Sequence, residues 1–175
     1  ARINLDGLRT AGLPIEEVRV ASRSRGSAEA FAAEAAASGC RTSVFDEPRA
    51  AVEGADVVVT TVPGSPGFKA FLEPSWVAPG AFVSAVDVGR SWKPGFEAFD
   101  RIVTDDRAQS VAQHADGRLA YGGGFDTDLP ELIAGTRPGR GGDAERIVVI
   151  HPGNAVGVLA ITAEILARLG GASGA

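Results

Sequence analysis

Apolar and polar positions alternate along this chain in short blocks, and each block reads as one element. Residues 2–11 place Ile3, Leu5, Leu8 and Ala11 on a helical stripe, with Gly12 as its C-cap and Pro14 preventing continuation. Val18 and Val20 then alternate with polar neighbours, a strand that ends on Ser22-Arg23-Ser24. Residues 27–38 are rich in Ala and predict a helix capped by Ser27 and stopped by Gly39. A short strand over 41–45 and a short helix over 48–52 follow. The β-branched run Val57-Val58-Val59-Thr60-Thr61 predicts a strand buried on both faces. Further strands are expected over 81–86, 101–104 and 147–150, and helices over 105–113, 129–134 and 155–169. Residues 121–128 are Gly-rich and irregular.

Strands that alternate with helices and carry β-branched runs predict a parallel sheet. The fold class is therefore α/β, a Rossmann-type doubly wound parallel sheet with helices on both faces. No strand-to-helix turn in the chain reads Gly-x-Gly-x-x-Gly, and Gly122-Gly123-Gly124 follows no strand and opens no long helix. We therefore expect the sheet to lack its first strand and glycine loop, in a chain that starts just inside the next helix. On this reading residues 1–150 form an NAD(P)-binding domain incomplete at its N-terminus. Residues 151–175 form a C-terminal helix that packs toward a substrate and dimerisation domain outside this sequence, with a frayed tail over 170–175.

Composition narrows the function classes. The 175 residues are enough for one domain with a sizeable core, and 45% hydrophobic with 22% charged residues is ordinary for a globular protein. A net charge of −5 argues against a nucleic-acid partner. No apolar run is long enough to span a bilayer, so no membrane role is expected. The single cysteine, Cys40, permits no internal disulfide and fits a reducing, cytoplasmic compartment. No His, Cys or acidic cluster has metal-ligand spacing, and no metal is expected.

The chemistry gathers where strands end. In a doubly wound sheet the residues just past the second strand meet the adenosine ribose of a dinucleotide. A carboxylate there accepts from the 2′-OH of NAD, whereas Ser22, Arg23 and Ser24 offer hydroxyls and a guanidinium that suit the 2′-phosphate of NADP. No acidic residue follows Val20 until Glu29, so NADP is the expected cofactor and NAD the alternative. The same triplet also reads as an ordinary polar loop. Thr60, Thr61 and Val62 end the strand past the topological switch, where ligands gather. Asp87 follows the next strand and is either a general base or a cap for its own loop. His151, at a Pro-Gly turn after the last strand, either donates to a bound carboxamide or substrate or is a loop histidine. His114 is expected at the surface.

The runs Glu16 to Ser24, Gly54 to Thr61, Trp76 to Val86 and Asp128 to Arg140 together resemble the ornithine cyclodeaminase/μ-crystallin family, in order and spacing, over nearly the whole chain. The resemblance implies a nicotinamide cofactor and a small amino- or imino-acid substrate. It implies hydride exchange at an α-carbon through an imine, and a homodimer for the full-length protein. Ala1-Arg2 is similar to the end of the family's glycine loop, which places Arg2 near the pyrophosphate. Ala85 and Val86 correspond to the strand end beside the cofactor. The family's acid/base Asp corresponds to Gly89 here, with Asp87 two residues earlier. That departure fits a reductase or dehydrogenase better than a true cyclodeaminase, which converts ornithine to proline with loss of ammonia. Two other readings stay open: a μ-crystallin-like protein that binds NADP without turnover, and a chain that is inactive by itself.

Overall fold

The computed structural model describes residues 1–153 and 155–171; residues 172–175 of the expected tail lie outside it. Seven strands and six helices follow in order: α1 (Arg2–Thr10), β1 (Glu17–Ala21), α2 (Arg25–Ala37), β2 (Arg41–Phe45), α3 (Pro48–Val52), β3 (Val57–Thr60), β4 (Phe82–Ala85), β5 (Arg101–Thr104), α4 (Arg107–Ala115), β6 (Thr127–Asp128), α5 (Leu129–Ile133), β7 (Ile147–Ile150) and α6 (Ala155–Gly171). Every strand pairing is parallel. Among the described residues the strands form two sheets, β1-β2 and β3-β4-β7-β5-β6, and β1 shares no ladder with β3.

The placement of β7 organises the larger sheet. It is last in sequence but sits between β4 and β5, so Thr60, Ala85, Ile150 and Thr104 form one row across the carboxyl ends of the strands. Alternation along each strand separates two faces. Val83, Ala85, Val148, Ile150 and Ile102 point into the main core. Leu72, Val77, Trp92, Phe99, Leu119 and Phe125 cover them, from irregular segments rather than from long helices. On the other face Val103, Ile147 and Val149 pack with Phe82 and with Leu132 of α5. The expected two-sided burial of β3 is incomplete: Val58 and Thr60 are buried, whereas Val57 and Val59 are half-buried.

The smaller sheet is sealed by α2 through Ala28 and Ala32, which meet Val20, Val18 and Val44. Ser24, not Ser27, caps α2. Its side chain accepts from the Ser27 backbone N–H, and its extended backbone (φ −104°, ψ 117°) is the cap conformation. The helix thus starts two residues earlier than its Ala-rich stretch suggests. β6, two residues long, lies at the end of the segment expected to be wholly irregular.

Asp128 ties two helix starts together. It closes a capping box with Glu131 and also accepts from the backbone N–H of Arg107 at 3.2 Å, while the Arg107 guanidinium donates to Glu131 at 2.7 Å. Asp128→Ala is expected to cost about 1–2 kcal/mol, read as a shift in the denaturation midpoint. On α6, Leu159, Ile161 and Leu166 are exposed. Among the described residues no helix is long and apolar enough to cross a membrane.

Candidate functional site at the carboxyl ends of the strands

The tip of β1 carries Ser22, Arg23 and Ser24 directly onto the N-terminus of α2. Ser22 Oγ accepts from the Ser24 backbone N–H at 3.4 Å. Arg25, the other cation here, is engaged by Glu29 at 2.9 Å and Asp46 at 2.7 Å. Those two carboxylates hold its pKa above the usual arginine value, through hydrogen bonds first and charge second. Arg23 is exposed and, among the described residues, makes no ion pair or side-chain hydrogen bond. Among the described residues the tip therefore presents the unpaired Arg23 guanidinium, two hydroxyls and a helix N-terminus, a chemistry that fits a dianionic phosphate. Arg2, the other anticipated anion contact, is ion-paired with Glu34 of α2.

The expected residues of the larger sheet divide by side-chain direction. Thr60 and Ala85 point inward, at 6% and 0% exposure. Thr61 and Val86 are exposed and Val62 is half-buried. A ligand at the strand ends would therefore meet the side chains of Thr61, Val62 and Val86, but only the backbone at Thr60 and Ala85.

Asp87 is buried, and both of its carboxylate oxygens are engaged. The Thr60 hydroxyl donates to Oδ1 at 2.8 Å and the Ser91 hydroxyl donates to Oδ2. The Asp87 backbone N–H donates to the Thr60 carbonyl at 3.2 Å. The turn that follows is strained: Val88 (φ 61°) and Gly89 (φ 72°) both adopt left-handed backbone, closed by the Arg90 N–H on the Asp87 carbonyl. A β-branched residue in that conformation costs on the order of 1–3 kcal/mol. The capping alternative for Asp87 ran through backbone N–H groups; among the described residues the carboxylate instead accepts from the Thr60 and Ser91 hydroxyls, which tie the strained turn to the end of β3.

His151 follows the end of β7 and is about one-third exposed. Its backbone N–H donates to the Ala85 carbonyl at 3.2 Å. Its ring lies between two side chains that sequence reading did not single out. Nδ1 is 3.0 Å from Asp105 Oδ1, and Nε2 is 3.1 Å from Ser84 Oγ. The second oxygen of Asp105 accepts from the Gly153 backbone N–H at 2.9 Å. The Gln109 side-chain amide holds the same turn through the Gly153 carbonyl at 2.6 Å. An aspartate just past the carboxyl end of a parallel strand was the available signal for Asp105. Ser84, inside an apolar strand, gave a weaker one. His114 is exposed, as expected, with Nδ1 2.9 Å from the Leu119 carbonyl.

An all-parallel α/β sheet with polar groups converging at its carboxyl edge is the architecture of the NAD-binding dehydrogenases. The chain belongs to the ornithine cyclodeaminase/mu-crystallin family, whose sequence profile matches residues 8–165. It is 32% identical over 150 residues to a protein of Rhizobium meliloti (strain 1021) named as a dehydrogenase, covering 80% of this chain and 44% of that one. Among solved structures it is similar to an archaeal alanine dehydrogenase dimer with bound NAD, with a TM-score of 0.70, 25% identity, and coverage of 89% of this chain and 49% of that chain. It is also similar to the iminosuccinate reductase of Paracoccus denitrificans in complex with NAD+, with a TM-score of 0.68, 27% identity, and coverage of 89% and 50%. The chain thus spans about half the length of the relatives it matches.

Proposed function

We propose that this chain is the cofactor-binding part of an NADP-dependent oxidoreductase that acts on a small amino or imino acid. The observation that carries the reading is the free Arg23 guanidinium beside Ser22 and the N-terminus of α2, where the doubly wound fold meets an adenosine ribose. When bound, the nicotinamide supplies hydride exchange at the substrate α-carbon. The residues of the chain do the rest. Arg23 and Ser22 hold the 2′-phosphate. Thr61, Val62 and Val86 form a floor at the strand ends. His151 stands beside the reacting groups and handles a proton. Asp87 shapes the turn rather than meeting substrate, since its oxygens are engaged by Thr60 and Ser91. The exposed apolar side chains of α6 fit a helix that packs against a further domain or a second subunit of a cytoplasmic homodimer.

The reading is tested by titrating the intact protein with NADPH and NADH and following reduced-nicotinamide fluorescence. NADPH is expected to bind at least about tenfold more tightly, the worth of one charge-assisted phosphate contact. Absorbance at the nicotinamide band should then fall with pyrroline-2-carboxylate, or with pyruvate and ammonia. Equal affinities would remove the NADP assignment. NADPH binding with no imino acid reduced would leave a binding protein in place of an enzyme.

A further inference from the structure

Ser84, His151 and Asp105 lie 67 and 46 residues apart in sequence, yet they form one hydrogen-bonded line because β7 is inserted between β4 and β5. The polarity of that line follows from the acceptors. Asp105 as a carboxylate only accepts, and it takes the Gly153 N–H on Oδ2 and faces His151 Nδ1 with Oδ1. The proton of the neutral imidazole therefore sits on Nδ1. That leaves Nε2 as an acceptor, and the Ser84 hydroxyl donates to it. Asp105 is about one-tenth exposed, His151 is about one-third exposed and Ser84 is half-buried, so the line leads from a nearly buried carboxyl group to a half-buried hydroxyl.

The order serine, histidine, carboxylate is that of acyl-transfer sites, but the backbone here does not support that chemistry. Ser84 lies within β4, which is paired on both sides, so the neighbouring N–H groups belong to the ladders and form no oxyanion pocket. A proton relay needs no such pocket.

We propose that Asp105, His151 and Ser84 form a directional proton relay for the imino nitrogen of the substrate. In it Ser84 contacts that nitrogen, His151 stores the proton on Nε2, and Asp105 is the positioning residue that keeps the other proton on Nδ1. The proposal rests on the oxidoreductase reading above. In the direction of amino-acid oxidation a substrate N–H bond breaks, and its proton passes to Ser84 Oγ as the serine proton passes to Nε2. The Cα–H electron pair leaves as hydride to the nicotinamide, and a C=N bond forms. Reduction of the imine runs the same transfers backward, so the transferred hydride and proton are both accounted for.

The relay can be read without any turnover. The chain holds only two histidines, so nitrogen NMR of 15N-histidine-labelled protein resolves each ring. In the wild type His151 should carry its proton on Nδ1. In Asp105→Asn the Gly153 N–H claims the amide oxygen and leaves the NH₂ group facing Nδ1, so the proton should move to Nε2. His114, which has no contact with Asp105, should stay unchanged. The same tautomer in both proteins, or a wild-type proton on Nε2, would overturn the relay. Ser84→Ala and Ser84→Thr give a second measurement. In the full-length enzyme Ser84→Ala should lower kcat for imine reduction about 100-fold with KM held within about twofold, and Ser84→Thr should recover most of it. An unaltered kcat in Ser84→Ala would remove Ser84 from the proton path. If the wild type reduced no imino acid while the tautomer moved as expected, the oxidoreductase reading would fail and the Asp105–His151 orientation would stand.

Discussion

Asp87→Ala is expected to lower stability by about 3 kcal/mol and the melting temperature by roughly 10 °C. The carboxylate is 5% exposed and is the acceptor for the hydroxyls of Thr60 and Ser91, themselves 6% and 0% exposed. Removing it leaves two buried donors without a partner, and each such loss costs about 1–3 kcal/mol. It also removes the tie between the end of β3 and the strained turn at Val88 and Gly89. Thermal denaturation followed by circular dichroism reads the effect. Asp87→Asn keeps an acceptor for one hydroxyl and should recover part of the loss. A catalytic Asp87 would behave differently: kcat would collapse in both variants while the melting temperature of Asp87→Asn stayed at the wild-type value.

Arg23→Asp is expected to reduce kcat/KM with NADPH about 100-fold in the full-length enzyme and to raise it with NADH. Loss of a charge-assisted contact to phosphate contributes about 1.5–3 kcal/mol, and the new carboxylate would repel the 2′-phosphate while accepting from a 2′-OH. The neighbouring Arg25 does not compensate, because Glu29 and Asp46 occupy it. Arg23→Asp should leave the fold intact, since the side chain is exposed and bonds to nothing among the described residues. Unchanged selectivity would place the adenosine end of the cofactor elsewhere.

The strands over 41–45, 101–104 and 147–150 and the helix over 48–52 agree with the sequence reading to the residue. In each case a short run of one periodicity is bounded by Gly, Pro or charged residues. The start of α2 differs because capping is decided by one hydroxyl and its backbone angle, which the Ala-rich composition downstream does not report. β6 is too short to show any period. The polar chemistry of the β1 tip was legible because all of it lies in three consecutive residues. The relay was not: Ser84, Asp105 and His151 meet only through the position of β7, and the choice of which strands become neighbours is a long-range event with no local signature. The burial of Thr60 and the locking of Asp87 depend on the same long-range packing.

The division of the strands into two sheets bears on how the molecule opens. Among the described residues β1 and β2 form a ladder only with each other, and α2 packs on them through Ala28, Ala32 and Phe31. Their links to the rest include Val52, which reaches the larger core, and Arg19, which donates to the Glu53 carbonyl at 2.8 Å. Breaking the β1–β2 ladder breaks no ladder bond of the larger sheet, so residues 17–45 are expected to open as a unit of their own. Amide exchange there should be faster than in β4, β5 and β7. Arg23 follows β1 of the smaller sheet, while His151 follows β7 of the larger one. A dinucleotide reaching both would slow exchange most in β1, β2 and α2, and would thus act as a brace between two sheets that share no ladder among the described residues.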